Sequence, residues 1–324
     1  MFNQWEDSKL FSRWSIRKIT FIGILIAISV VFLVILATLV PIASIPSYKI
    51  SVIGLPVKIT GFIFGPIVGG IVGLISDLLA FLFVPNIYNP LYTLATMVDG
   101  IIAGIIGWLF LKVFKYYFGG RFRDSVYELK IVKLEKKLIE AKINNWSEEK
   151  IAKLENKIIY FNENRKKIRV LGTKNILLNF YAVISTLILM TIIFFVIWLI
   201  GWKTSQATID KGIIKSKIGL LTLMVSGYSV MIVFIWIARF KMKNKHFLVI
   251  VPIVIFSALI ELINIPLLSF ADATSLSNDG QSIFVYVFQH TLFSPIKIWF
   301  NMFVIFFTYN IINPLVNKNN GIMY

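Results

Sequence analysis

The chain has no cysteine and only two histidines, His246 and His290, in 324 residues. Without cysteine there are no disulfides, no thiolate metal sites and no cysteine nucleophile. With so little histidine there is no HExxH pair. A catalytic metal would have to rest on carboxylates, and any Ser/His/Asp arrangement on His290 alone. No GxxxxGK[ST] stretch occurs, so the glycine-rich run FGPIVGG is not a phosphate loop. Acidic residues are scarce, 16 against 33 Lys and Arg, giving a net charge of +17. A cleavable signal is also missing. The apolar run 19–42 is too long for a signal core and has no A-x-A exit site, so it is expected to stay as a helix.

Apolar residues dominate instead. The chain is 57% hydrophobic, with a mean hydropathy of +0.80. Several runs approach the ~20 residues that cross a bilayer. The pattern predicts an all-α membrane protein with about eight spans: 19–42, 56–64 with residues before it, 67–84, 91–117, 175–201, 218–240, 247–268 and 283–312. The basic residues follow the positive-inside rule, so the charge points to a membrane and not to nucleic acid. Of the 33 Lys and Arg, 26 fall in segments that would share one side, and 17 of these lie in residues 112–174. Both termini are therefore expected in the cytoplasm. Lys49 and Lys58 are assigned to outer segments, as is the loop 269–282 with Asp272 and Asp279 and no basic residue.

The expected organisation is a cytoplasmic N-terminus (1–18), four spans (19–117), a charged cytoplasmic helical hairpin (118–173), an extra transmembrane pair (174–245), two last spans (246–313) and a cytoplasmic tail (314–324). The hairpin reading rests on Leu129, Leu134, Leu138, Ile151, Leu154 and Ile158 at helical spacing. Between the two halves, NNWSEEKI reads as a turn with Ser147 as the next N-cap and Trp146 stapling onto Ile151.

The densest information lies in residues 55–112. Gly65, Gly69, Gly73 and Asp77 recur every four residues, a smooth stripe on a helix that ends in one carboxylate. Gly100, Gly104 and Gly107 repeat the device. In lipid, small residues let neighbouring backbones approach closely. This stretch resembles the substrate-binding S component of energy-coupling factor (ECF) vitamin transporters, folate-type branch. The resemblance is carried by Leu55-Pro56, Gly61, Phe64-Gly65-Pro66, Gly69, Gly73, Asp77, Leu79, Pro85, Tyr88, Tyr92-Thr93-Leu94-Ala95 and Gly100 to Gly104. It departs from the family at Ala95-Thr96 and Asp99. Residues from about 118 to 245 have no counterpart in it.

The resemblance implies a six-helix core that binds a vitamin and hydrolyses no ATP. Its partners would be a transmembrane coupling subunit, two ATPase subunits and the lipid bilayer, with no nucleic acid and no bound cofactor. It also implies that Gly23 and Ala27, a small-xxx-small pair on the first helix, dock the coupling subunit. Folate is the expected substrate. Riboflavin, pantothenate or another small vitamin is the alternative, although the Glu-x-x-Lys-Asn run of riboflavin-type members is missing. Folate-type members carry Arg-x-x-Lys on the last helix; Lys297 matches the lysine and Ser294 stands at the arginine. A stand-alone secondary transporter or a polytopic membrane enzyme are the readings from other classes.

Ionisable groups inside spans are costly and so mark candidate sites. Asp77, Asp99, Glu261 and His290 are expected about 10–12 Å below the outer surface, and Lys297 about 20 Å below it. The expected substrate-binding set is Tyr48, Tyr88, Tyr92, Asp99, Glu261, Asn264, His290, Lys297 and Asn301. Asp77 closes the structural stripe of Gly65, Gly69 and Gly73, and Asp99 could pair with Lys297.

Overall fold

The computed structural model describes residues 16–39, 46–83, 89–171, 174–210, 215–276 and 283–317. Among these the regular structure is entirely helical, as the apolar pattern predicts for an all-α membrane protein. The helices are α1 (Ile16–Leu39), α2 (Pro46–Phe64), α3 (Pro66–Phe83), α4 (Pro90–Trp108), a short α5 (Lys115–Phe118), α6 (Arg121–Ile143), α7 (Glu148–Leu171), α8 (Lys174–Trp198), a short α9 (Gln206–Ile209), α10 (Lys217–Lys241), α11 (Asn244–Leu276) and α12 (Ile283–Asn317). Among the described residues six stretches are long and apolar enough to cross a bilayer, and Ile19–Val31 and Gly54–Phe64 are shorter apolar helices. Contacts divide the chain into two compact units, residues 110–181 and the remainder.

In the larger unit, α2, α3, α4, α11 and α12 pack on one another, with α1 against α2 and α3. Backbones approach closely where α3 and α2 meet α4. A Cβ on Gly69 would overlap the Gly100 carbonyl, and one on Gly73 would come 2.5 Å from the Thr96 carbonyl. Gly104 likewise admits Pro66 and Gly61 admits Gly100. Gly65 turns the chain from α2 into α3 at φ 103°, a backbone region open to glycine. Pro66 then begins α3, where a missing N–H costs nothing. α11 is the central helix: 78% of its apolar window is buried, against 28% and 22% for the spans built on α8 and α10. Phe62 of α2 wedges between Phe256 of α11 and Tyr309 of α12, with ring centroids 5.4 and 5.0 Å away.

Two elements differ from expectation. α2 begins at Pro46 and carries Pro56 inside it, which places Lys58 within a helix of the bundle and not in an outer segment. α11 continues through Pro252 and Pro266 to Leu276, so Asp272 is helical and buried, not in a loop. Prolines are tolerated inside such helices because neighbours satisfy the freed backbone groups. The far end of α11 is held by Asn89, the N-cap of α4. Its Oδ1 accepts from Leu91 N (3.0 Å), and its Nδ2 donates to Ala271 O, Thr274 Oγ1 and Ser275 Oγ at 3.2, 2.9 and 2.8 Å.

The second unit is a helical hairpin. Tyr127, Ile131, Leu134, Leu138 and Ala141 on α6, and Ile151, Leu154, Ile158 and Phe161 on α7, alternate spacings of three and four. None of them is exposed. That is the seam of a two-stranded coiled coil. Leu129, read from sequence as part of the seam, is exposed; it lies two residues off the stripe. Asp124 pairs with Arg165 and Arg169 at 2.9 and 3.0 Å near one end, and Lys142 with Glu155 at 2.9 Å near the other. The helices are therefore antiparallel. Asn145 (φ 49°) ends α6. The Asn145 N–H donates to Lys142 O (3.4 Å) and the Trp146 N–H to Ala141 O (3.0 Å), the two bonds of a Schellman cap. Ser147 stands just before α7 and its carbonyl accepts from Lys150 and Ile151. Phe114 and Phe118 pack on Phe180, and the Tyr181 hydroxyl donates to the Phe110 carbonyl.

Candidate functional site

Among the described residues, the buried acidic and basic side chains of the larger unit lie on α2, α4, α11 and α12. Lys58 and Asp99 are 3% and 1% exposed, and Lys58 Nζ lies 3.2 Å from Asp99 Oδ2. Asn264 Nδ2 donates to Asp99 Oδ1 at 2.6 Å. Asp99 thus pairs with Lys58 and not with Lys297. Lys58 is absent from the sequence-based site set because it counts there among the outer basic residues.

On α12, His290, Ser294, Lys297 and Asn301 recur at helical spacing, and all four are buried. Lys297 makes no hydrogen bond or ion pair among the described residues. It does lie within electrostatic reach of Glu261, Lys58, Asp272 and Asp99. A buried lysine without a direct partner is costly in a bundle core, and such a group marks a candidate site. Glu261 lies one turn before Asn264 on α11 and is also buried.

A second cluster ties α4, α11 and α12 together. The Tyr92 hydroxyl donates to Asp272 Oδ1 at 2.6 Å, and His290 Nε2 lies 2.8 Å from Asp272 Oδ2. A carboxylate can only accept, so Nε2 carries a proton and Nδ1 is the ring nitrogen left open to a further partner. His290 Nδ1 and Asn264 Oδ1 are buried with no hydrogen-bond partner among the described residues. Asp272, missed in the sequence because it was placed in a loop, is the hub of this cluster.

Asp77 does not join either group. Its Oδ2 accepts from Thr93 Oγ1 at 2.5 Å, bracing α3 against α4 beside Gly73. Tyr88 and the Tyr48 side chain lie outside the described residues. Gly23 and Ala27 face outward on α1, and nothing stands within 4 Å of where a Gly23 Cβ would lie. That exposed face bears a groove of about 350 Å³ lined by Ile24, Ala27, Ile28, Val31 and Ile35.

Fold and site together define a multi-pass helical membrane protein with a polar core. Residues 13–122 match the family model described as ECF-type riboflavin transporter, S component. The match spans the N-terminal third of the chain. No curated protein matches the chain, and no solved structure does.

Proposed function

We propose that the chain is the S component of an ECF-type importer, capturing a vitamin in the polar core between α2, α4, α11 and α12. The observation that carries this reading is Lys297. It is a buried cation with no direct partner among the described residues, facing buried groups from three other helices. A carboxylate-bearing vitamin would complement it, so folate is the leading substrate. Asn264 Oδ1 would accept from a donor group of the same ligand, and His290 Nδ1 is open to a second polar group of it. Glu261, Asn301 and Tyr92 complete the binding set.

Riboflavin is the second reading, favoured by the description of the matching family model. That match ends before α11 and α12, which supply most of the polar groups. The substrate therefore depends on residues outside it.

The chain would cross the membrane eight times with both termini and the 121–171 hairpin in the cytoplasm, in keeping with the distribution of Lys and Arg. It would depend on a transmembrane coupling subunit and two ATPases. The exposed Gly23–Ala27 face of α1 is the natural docking surface, since small residues admit a close helix partner. The test is binding of tritiated folate and riboflavin to the purified chain in detergent, without ATP. Tight binding of one, weakened roughly 10- to 100-fold by Lys297→Ala as expected for loss of a charged hydrogen bond, supports the reading. Absence of binding to both refutes it for these vitamins.

A further inference from the structure

α10 belongs to the segment for which the S-component resemblance has no counterpart. Only 22% of its apolar window is buried, as for an added lipid-facing helix. One face behaves differently. Leu220, Tyr228, Met231, Ile235 and Ala238 are buried, and α10 touches α11 and α12 through this side. Between the three helices lies a cleft of about 20 Å³ lined by Tyr228, Gly227, Ile265, Thr291, Ser294 and Pro295, among others. That is room for about one water-sized polar group.

The lining is mainly apolar, and three hydroxyl side chains, Tyr228, Thr291 and Ser294, interrupt it. Tyr228 is 4% exposed, and its hydroxyl makes no hydrogen bond among the described residues. It lies within electrostatic reach of Glu261. Thr291 Oγ1 is buried and likewise lacks a partner among the described residues. Pro295 sits inside α12 and removes the helix hydrogen bond that the Thr291 carbonyl would accept. Ser294 is shared, lining the cleft while lying on the same helix face as His290 and Lys297. Gly227 leaves space on α10, where a Cβ would meet nothing within 4 Å.

We infer that α10 is a wall of the substrate site. Tyr228, Thr291 and Ser294 form a subsite that takes a hydrogen-bonding group of the bound vitamin, a hydroxyl, amide or amine, beside Glu261. The inference rests on the S-component reading and extends it to a helix outside the resemblance. In it, α10 determines specificity as well as filling space in the bilayer. Tyr228 is suited to this because it combines a buried ring with a hydroxyl within electrostatic reach of Glu261.

The test uses the full chain in detergent, with tritiated folate and tritiated riboflavin as probes. Tyr228→Phe removes one oxygen and is expected to weaken binding of the bound vitamin about 10-fold, as is Thr291→Val. Ile237→Ala, on the exposed face of the same helix, is expected to bind as the parent does. Because the chain has no cysteine, Ser294→Cys gives a single thiol for a methanethiosulfonate reagent. Saturating vitamin is expected to slow its labelling at least 5-fold. Parental affinity in both hydroxyl variants, with labelling of Ser294→Cys indifferent to the vitamin, overturns the inference while leaving the S-component reading intact. Failure of the parent chain to bind either probe overturns that reading, and this inference with it.

Discussion

Breaking the Lys58–Asp99 pair should cost more than losing any surface charge of this protein. At 3.2 Å, Coulomb's law with an effective dielectric of about 20 gives an attraction of about 5 kcal/mol. Measured losses on removing one partner of a buried pair are about 3–5 kcal/mol, because the other charge is left buried and unpaired. Asn264 still donates to Asp99 in Lys58→Met, which offsets part of that loss, so about 3 kcal/mol is expected. Replacing both charges, as Lys58→Met with Asp99→Asn, leaves no orphaned charge. It should restore most of the stability, since buried pairs contribute little net over neutral packing. The assay is reversible unfolding in mixed micelles by SDS titration, run as a double-mutant cycle. Additive losses, with the double variant as unstable as the sum of the singles, would refute the pairing.

Gly69→Val and Gly100→Val should each separate α3 from α4 and lose the monodisperse peak on size exclusion, whereas Gly23→Val on the open face of α1 should not. Gly23→Leu with Ala27→Leu should abolish co-purification with the coupling subunit and leave vitamin binding unchanged. In the hairpin, Arg165 beside Asp124 holds that carboxyl below its usual 3.8. A carboxyl depressed on folding stabilises the folded form above its unfolded value and loses that contribution as pH falls through the folded one. Carboxyl ¹³C titration of the full chain should therefore give Asp124 a midpoint below 3.8, moving up in Arg165→Gln, with the hairpin losing stability only below about pH 4. The partly exposed pair contributes no more than about 1 kcal/mol. Tyr92→Phe should destabilise by about 1–2 kcal/mol in the same SDS titration, by taking one donor from the buried Asp272.

The sequence by itself determined the solvent, because long apolar runs can satisfy their backbone in lipid only as helices. It also determined the hairpin, whose charged faces and three-and-four spacing are local features. The spacing of Gly69 and Gly73 marked a smooth face, but only the tertiary structure decided that Thr96 and Gly100 of α4 occupy it. The choice of charge partner was likewise out of reach. Asp99 had Lys297 as its visible candidate, and Lys58 was hidden because it counts with the outer segment beside Pro56, where the apolar run is too short to span by itself. Asp272 was hidden because Pro266 and a polar stretch read as the end of a helix. In both cases the local signal was a breaker that the bundle overrides. Neighbouring helices supply the contacts that a proline takes away, and a buried charge is kept by a partner distant in the chain. Helix periodicity is written in near neighbours, whereas Asp99 finds Asn264 across 165 residues, a distance that only packing can close.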